Sequence, residues 1–272
     1  MRTEAITSAQ NPKIRTLLEL QEKSKARRQK GLFVVEGQRE LLHCIQAGYE
    51  PYTLFICHDI LTDKGLDRIL GAIEENFTGT VCPIIEISRQ LYDKVAYRGG
   101  TEGIIAEMHC RNTGLEDLDL KENPLVVVLE SIEKPGNLGA VLRSADASGV
   151  DAVIVCDPLT DLYNPNLIRS SIGAIFTVPV AVAPSDQTIE WLKANNIKIY
   201  TAQLQDSEGY DDTDMKEGTA IIMGTEATGL TDIWREAADA HIKIPMLGRL
   251  DSLNVSVSAA ILMFEAVRQR NS

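Results

Sequence analysis

Three short stretches hold polar side chains beside glycines, each following a run of β-branched or apolar residues. The first is KPGNLGAVLRSAD, with Asn137, Gly139 and Arg143. The second is AIIMGTEATGL, with Gly224, Glu226 and Gly229. The third is IKIPMLGRLDSLN, in which Ile244, Pro245, Met246 and Leu253 offer an apolar wall beside Ser252 and Asn254. Glycine after a strand lets a ligand come close to the backbone, and Glu226 would stand at the rim of such a site. Polar groups at the mouth of an apolar element must find partners, so the third turn asks for a ligand, a partner chain or a cap. Each stretch also has a plainer reading. Asn137 suits a helix cap and Arg143 a surface partner for Asp146, while residues 224–229 suit an ordinary strand-to-helix turn. The spacing of Gly136 and Gly139 does not make a dinucleotide fingerprint, and no phosphate-binding loop is present.

The elements that must position these turns follow from periodicity. Residues 11–30 read as helix, with Asn11 as cap and Pro12 in the first turn. Strand candidates at 32–37, 52–59, 81–88 and 103–108 alternate with helical patterns at 38–47, 66–76 and 88–96. The polar, acidic stretch 109–123 reads as a linker. PLVVVLES (124–131) is a continuous apolar run of the kind found in a buried strand, followed by a turn and helix over 136–149 and strand over 151–157. Short helices at 164–171 and 190–195, strands at 197–202 and 219–223, and a helix near 231–239 continue the alternation. The last unit, 242–270, joins a short strand to one long helix that Ser252 would cap. From Leu253 to Phe264 that helix carries no charge, which predicts enclosure by protein or by a second subunit. The pattern predicts two domains, 1–108 and 124–272, the second a mostly parallel sheet with ligands bound outside the carboxyl ends of its strands.

Composition narrows the class. The net charge of −12 over 272 residues argues against general adhesion to nucleic acid or anionic membrane. Yet Arg2, Lys13, Arg15, Lys23, Lys25, Arg27, Arg28 and Lys30 meet just Glu4, Glu19 and Glu22 in the first thirty residues. This basic opening is the one obvious footprint for a polyanion, and a solvated helix face is its alternative. The five cysteines are scattered and form no CxxC pair, and the four histidines supply no ligand spacing with them. No metal or disulfide framework is expected, and buried thiols in a reducing cytoplasm are. The start lacks the apolar core of a signal peptide, and the longest uncharged run is too short to span a bilayer.

Taken in order, NLGAVLRSAD, GTEATG, and IPM followed by SLNVSVSAAILMFEAVRQR resemble the three motifs of the SpoU-type (TrmH-like) RNA 2′-O-ribose methyltransferases of the SPOUT superfamily. NPNLIRSSIGAIFTVPV resembles that family's connecting segment. More weakly, SAQNPKIRTLLEL, the basic run and FVVEGQRELL are similar to the ribosomal-protein-like domain that precedes many members. The resemblance implies an α/β fold: a SPOUT-type, mostly parallel sheet with a C-terminal trefoil knot, preceded by a small α/β substrate-binding domain. It implies S-adenosylmethionine bound in bent form within the knot, a homodimer through the knotted domain, and no metal. At the matching positions, Gly224, Ile244, Met246 and Leu253 would line the adenosine site. Asn137, Arg143, Glu226, Ser252 and Asn254 match positions assigned to catalysis and RNA binding, with Arg143 as the proposed catalytic arginine. The substrate would be RNA, because a 2′-hydroxyl is what distinguishes it from DNA. The added first domain favours large-subunit rRNA over tRNA, and Lys13, Arg15, Lys25, Arg27 and Arg28 are the expected RNA contacts. A non-catalytic RNA-binding protein retaining the fold and a nucleotide-dependent metabolic enzyme are the rival readings. Lys134 stands where an Asp is common in the family.

Overall fold

A computed structural model describes residues 3–97, 102–225, 227–249 and 252–272. The chain forms two compact units, one of Met1–Asn112 with Asp161–Thr177, the other of Thr113–Thr160 with Val178–Ser272.

In the first unit the elements run β1 (Thr3–Ile6), α1 (Pro12–Glu22), α2 (Ser24–Lys30), β2 (Leu32–Glu36), α3 (Gln38–Gln46), β3 (Pro51–Ile56), α4 (Asp63–Asn76), β4 (Ile84–Ile87), α5 (Arg89–Val95) and β5 (Ile104–His109). Its sheet has the order β1-β4-β3-β5-β2, with β5 antiparallel to both neighbours and the remaining pairs parallel. Ile14, Leu17 and Leu20 of α1 recur at helical spacing and bury against Val34, Phe55, Ile85 and Ile105 on one face of the sheet. The Asn11 side chain caps α1 by accepting from the Lys13 amide at 2.9 Å. The helix predicted over 11–30 divides at Lys23, whose backbone is extended, and Gly31 ends the second half in a left-handed conformation. Arg27 occupies the break: its guanidinium donates to the carbonyls of Leu20 and Gln21, which a continuous helix would have paired internally.

The second unit opens with a 3₁₀ turn at Leu115–Asp117 and β6 (Leu125–Glu130), then α6 (Pro135–Ser148) and β7 (Ala152–Cys156). After β7 come two short helices, α7 (Pro165–Ser170) and α8 (Ala174–Thr177), which belong to the first unit. The chain returns as β8 (Val180–Ala183), α9 (Ser185–Ala194), β9 (Lys198–Ala202), β10 (Glu208–Gly209), β11 (Thr219–Met223), α10 (Asp232–Ala237), β12 (Ala240–Lys243) and α11 (Val255–Arg270). The sheet order is β10-β12-β9-β11-β6-β7-β8, and every neighbouring pair is parallel. β6 lies inside it and is buried at every position, as a strand covered on both faces requires. Trp234, Leu192 and Ile189 cover one face over Val126, Val128, Ile154 and Ile222. α11 packs along α6, and Arg270 at its end donates to the carbonyls of Asn123, Pro124, Met215 and Glu217, tying it to the base of the sheet.

Three expectations change. Residues 109–123 are not a free linker, because Leu115 is buried in the second unit's core and the Thr113 carbonyl accepts from Val182 at 3.0 Å. The segment 161–177, read as part of the second domain, packs into the first unit. Asn254, not Ser252, caps α11, its Oδ1 accepting from the Ser256 amide at 3.0 Å and from the Ser256 hydroxyl at 2.6 Å.

Candidate active site

The carboxyl ends of β9, β11 and β12 open into loops that enclose a cleft of about 360 Å³, within the range of small-molecule sites. Gly224, Ile244, Met246 and Leu253, the four residues expected to hold an adenosine, all line it, as does Ser252. Leu230, Val255 and Leu262 add apolar wall. Gly224 is glycine for a steric reason. A Cβ there would stand 2.3 Å from the Gly229 carbonyl and 2.5 Å from the Leu230 nitrogen, because the loop folds back on itself. The Thr225 and Gly229 backbones exchange hydrogen bonds of 3.2 and 3.0 Å, and Gly229 takes the positive φ of 69° that closes so short a turn. Glu226 lies outside the described residues.

A second recess of about 90 Å³ adjoins the cleft and shares Gly224, Thr225, Ala227 and Val255 with it. Its far wall is Ile132, Glu133, Lys134 and Asn137, from the loop after β6 and the first turn of α6. Here two predicted residues meet: the Asn254 amide donates to Asn137 Oδ1 at 3.3 Å, linking the start of α11 to the start of α6. Asn254 thus caps α11 through its Oδ1 and reaches Asn137 through its amide nitrogen. Arg143 does not join them. It is exposed on α6, six residues beyond Asn137, and lines neither cavity.

Two cleft residues escaped the sequence reading. Gln203 follows β9 directly, and the strand-end rule could have flagged it. Arg235 lies on α10, where no pattern marked it. Both carry a buried polar atom, Gln203 Oε1 and Arg235 Nε, without a hydrogen-bond partner. Among the described residues lining the cleft the cations are Arg235 and Lys243, and there is no carboxylate.

Of the expected RNA contacts, Lys13, Arg15, Lys25 and Arg28 are exposed in the first unit. Lys13 pairs with Glu4 at 2.5 Å, and Arg15 donates to Gln10 at 2.6 Å. Arg27 is a correction. It is 3% exposed and its Nε holds Asp161 at 2.7 Å, so its charge is spent inside the fold. The same unit displays Arg169 stacked over Tyr97 at 5.2 Å, a cation-aromatic pair that the sequence reading did not pick out.

An apolar cleft at the strand ends of a parallel sheet, with a second recess beside it, is the place where α/β proteins of this class take a small molecule. The SpoU rRNA Methylase family model matches residues 124–264, and the MRM3-like substrate binding domain model matches residues 11–106. The chain belongs to the SpoU rRNA methylase family. It is 30% identical over 259 residues to the Bacillus subtilis 23S rRNA (guanosine(2553)-2'-O)-methyltransferase RlmP, covering 95% of this chain and 97% of that one. A crystal structure of an RNA 2'-O ribose methyltransferase matches with a TM-score of 0.82 at 35% identity, over 98% of this chain and 100% of the other. An AdoMet-bound rRNA methyltransferase from Sinorhizobium meliloti matches with a TM-score of 0.87 at 25% identity, over 98% of each chain.

Proposed function

We propose that this chain transfers the methyl group of S-adenosylmethionine to a ribose 2′-hydroxyl of RNA, with large-subunit rRNA as substrate in preference to tRNA. The observation that carries the reading is the shared wall of Gly224, Thr225 and Val255, with the apolar cleft on one side and the Asn137–Asn254 recess on the other. The cleft fits the cofactor: Ile244, Met246 and Leu253 offer apolar surface to a purine, Gly224 brings backbone close, and the unpartnered atoms of Gln203 and Arg235 await polar groups. When bound, the cofactor supplies an electrophilic methyl on a sulfonium.

The remaining work falls to the chain's own groups. A ribose hydroxyl entering the recess meets the amides of Asn137 and Asn254, which orient it by hydrogen bonding. Ser252, in the cleft wall, and Glu226 are the further polar groups assigned to the reaction. Arg143 stabilises charge developing on the 2′ oxygen or holds the adjacent phosphate, an electrostatic role suited to a guanidinium. Since Arg143 stands away from its own chain's cleft, we assign it to the site of a second copy in a homodimer. Val257 and Phe264, 47% and 49% exposed and two turns apart on α11, give that second copy an apolar stripe beside α6. The segment 242–270 forms the proposed knot, and the cytoplasm, where ribosomes are assembled, is the proposed location.

The test is transfer of labelled methyl from S-adenosylmethionine to unmodified rRNA and tRNA by the intact chain and by Arg143→Ala, with the product mapped to ribose or base. The reading expects 2′-O-methyl in rRNA, reduced at least a hundredfold in the variant while cofactor binding persists. Near-normal turnover in the variant would remove Arg143 from the mechanism. Cofactor bound without transfer to either naked RNA would move the substrate to a ribosomal particle, and no cofactor binding at all would favour the non-catalytic RNA-binding reading.

A further inference from the structure

Gln203 and Arg235 present opposite needs to the same cleft. Arg235 Nε–H is a donor with its nitrogen buried and nothing accepting from it. Gln203 Oε1 is a buried acceptor with nothing donating to it, and its orientation is fixed because the Nε2 end donates to the Gln205 carbonyl at 2.9 Å. The two belong to neighbouring elements. α10 packs on β9, and Gln203 is the first residue after β9, its own amide held by the Ile242 carbonyl at 3.0 Å. A buried donor and a buried acceptor left unpaired both destabilise the fold, so both suit groups that arrive with a ligand.

Charge says which groups. The described lining of the cleft carries Arg235 and Lys243 and no acid. Arg235's protein partner is Asp232 at 3.6 Å, one turn back on the same helix and 87% exposed, too solvated to neutralise it appreciably. Among the described residues no carboxylate lines the cleft, so a ligand that brings an anion for Arg235 and a donor for Gln203 answers both. The methionine end of S-adenosylmethionine is a zwitterion and carries both. At the other side of the cleft Ile244, Met246 and Leu253 form the apolar wall that suits a purine.

Resting on the proposed function, we propose that Arg235 and Gln203 form the subsite for the amino-acid end of the cofactor. The Arg235 guanidinium donates to the α-carboxylate, and Gln203 Oε1 accepts from the α-ammonium. A phosphate of bound RNA could also answer the arginine's charge, but it would leave the glutamine's acceptor unpaired.

The experiment is calorimetric binding, without RNA, of two probes to the full chain. S-adenosylhomocysteine keeps the carboxylate and ammonium, whereas 5′-methylthioadenosine lacks both. Arg235→Ala should weaken S-adenosylhomocysteine by roughly tenfold or more, the worth of a charge-assisted hydrogen bond, and leave methylthioadenosine unchanged. Arg235→Lys should recover part of the loss, and Gln203→Leu should show the same selectivity at smaller size. Equal weakening of both probes would mean a structural role and overturn the assignment. No weakening of either, with RNA affinity reduced instead, would give Arg235 to a phosphate and overturn it too. If the unaltered chain binds methylthioadenosine but not S-adenosylhomocysteine, the subsite is wrong, and if it binds neither, the functional reading itself fails.

Discussion

A carboxylate inside an apolar layer must settle its protonation with little help from water, and Glu107 is such a group. It lies on β5 opposite Val34 of β2 and Thr53 of β3, is 3% exposed, and its Oε1 has no hydrogen-bond partner. Burial pushes its carboxyl up to about 7, against the opposing pull of the Thr53 hydrogen bond and of Lys30 and Lys13. The folded state therefore binds this proton more tightly than the unfolded chain, whose glutamates titrate near 4.5. The sign follows: this contribution to stability is fully present below about 4.5 and is lost as pH rises through about 7. The shift corresponds to a loss on the order of 3 kcal/mol. Glu107→Gln, neutral at every pH, should remove this slope and leave the first unit more stable than wild type at pH 8. The protein's tryptophans, Trp191 and Trp234, lie in the second unit and would report on the wrong half. Hydrogen exchange of the β2, β3 and β5 amides between pH 5 and 8 is the suitable readout. Slopes equal in the two proteins would mean that Glu107 stays ionised in the fold.

At the scale of elements, α1 and α2 show what a side-chain pattern conceals. Counting basic residues over 11–30 suggests one helix with one positive face, but nothing in the run, neither glycine nor proline, marks the break at Lys23. The break is made by tertiary structure, through Arg27 reaching back to two carbonyls and across to Asp161. Arg27→Leu should destabilise the first unit by roughly 3 kcal/mol, because it strands a partly buried carboxylate. A second change, Asp161→Leu, should restore part of that. Arg28→Ala, on an exposed neighbour, should leave stability within about 0.5 kcal/mol and weaken RNA binding. Chemical denaturation and RNA titration of the three variants separate the roles, and equal RNA loss with no stability change in Arg27→Leu would reinstate it as a contact. The same contrast explains what was legible. The three polar turns could be read because each follows an apolar strand; Asn137 and Asn254 meet because α11 packs along α6, which brings the starts of the two helices together. β1, with Thr3 and Glu4 among its four residues, shows too little apolar pattern to be seen, and β8 is hidden in the uncharged run that also holds α8. Arg235 was invisible because an arginine on a short helix looks the same whether its Nε faces water or a cleft.

For the whole molecule, connectivity decides what can be separated. The chain passes from one unit to the other at 112/113, at 160/161 and at 177/178, so a stretch that matches the methyltransferase family model is built into the first unit. That stretch carries real core. Leu167, Ile168 and Phe176 are 0%, 2% and 7% exposed, and the Tyr163 ring stacks on Phe33 at 4.3 Å. Burial of such side chains contributes about 1.5–3 kcal/mol apiece, and all of it is uncovered when residues 1–108 are removed. The obvious dissection, a fragment of 109–272 kept as a free-standing methyltransferase, should therefore bind a hydrophobic dye, self-associate and elute as a broad peak. The exposed apolar stretch will dominate its behaviour, whatever its affinity for cofactor. Replacing Leu167, Ile168 and Phe176 by serine in the fragment should suppress dye binding and sharpen the peak, since those side chains would have no core left to fill. A monodisperse, dye-silent unmodified fragment would show instead that 161–177 can refold onto the second unit. If the fragment aggregates as expected, loss of RNA binding on truncation says nothing about which unit selects the RNA. Charge reversal at Lys13, Arg15, Lys25 and Arg28, which are exposed in the intact chain, is then the intervention that isolates selection from folding.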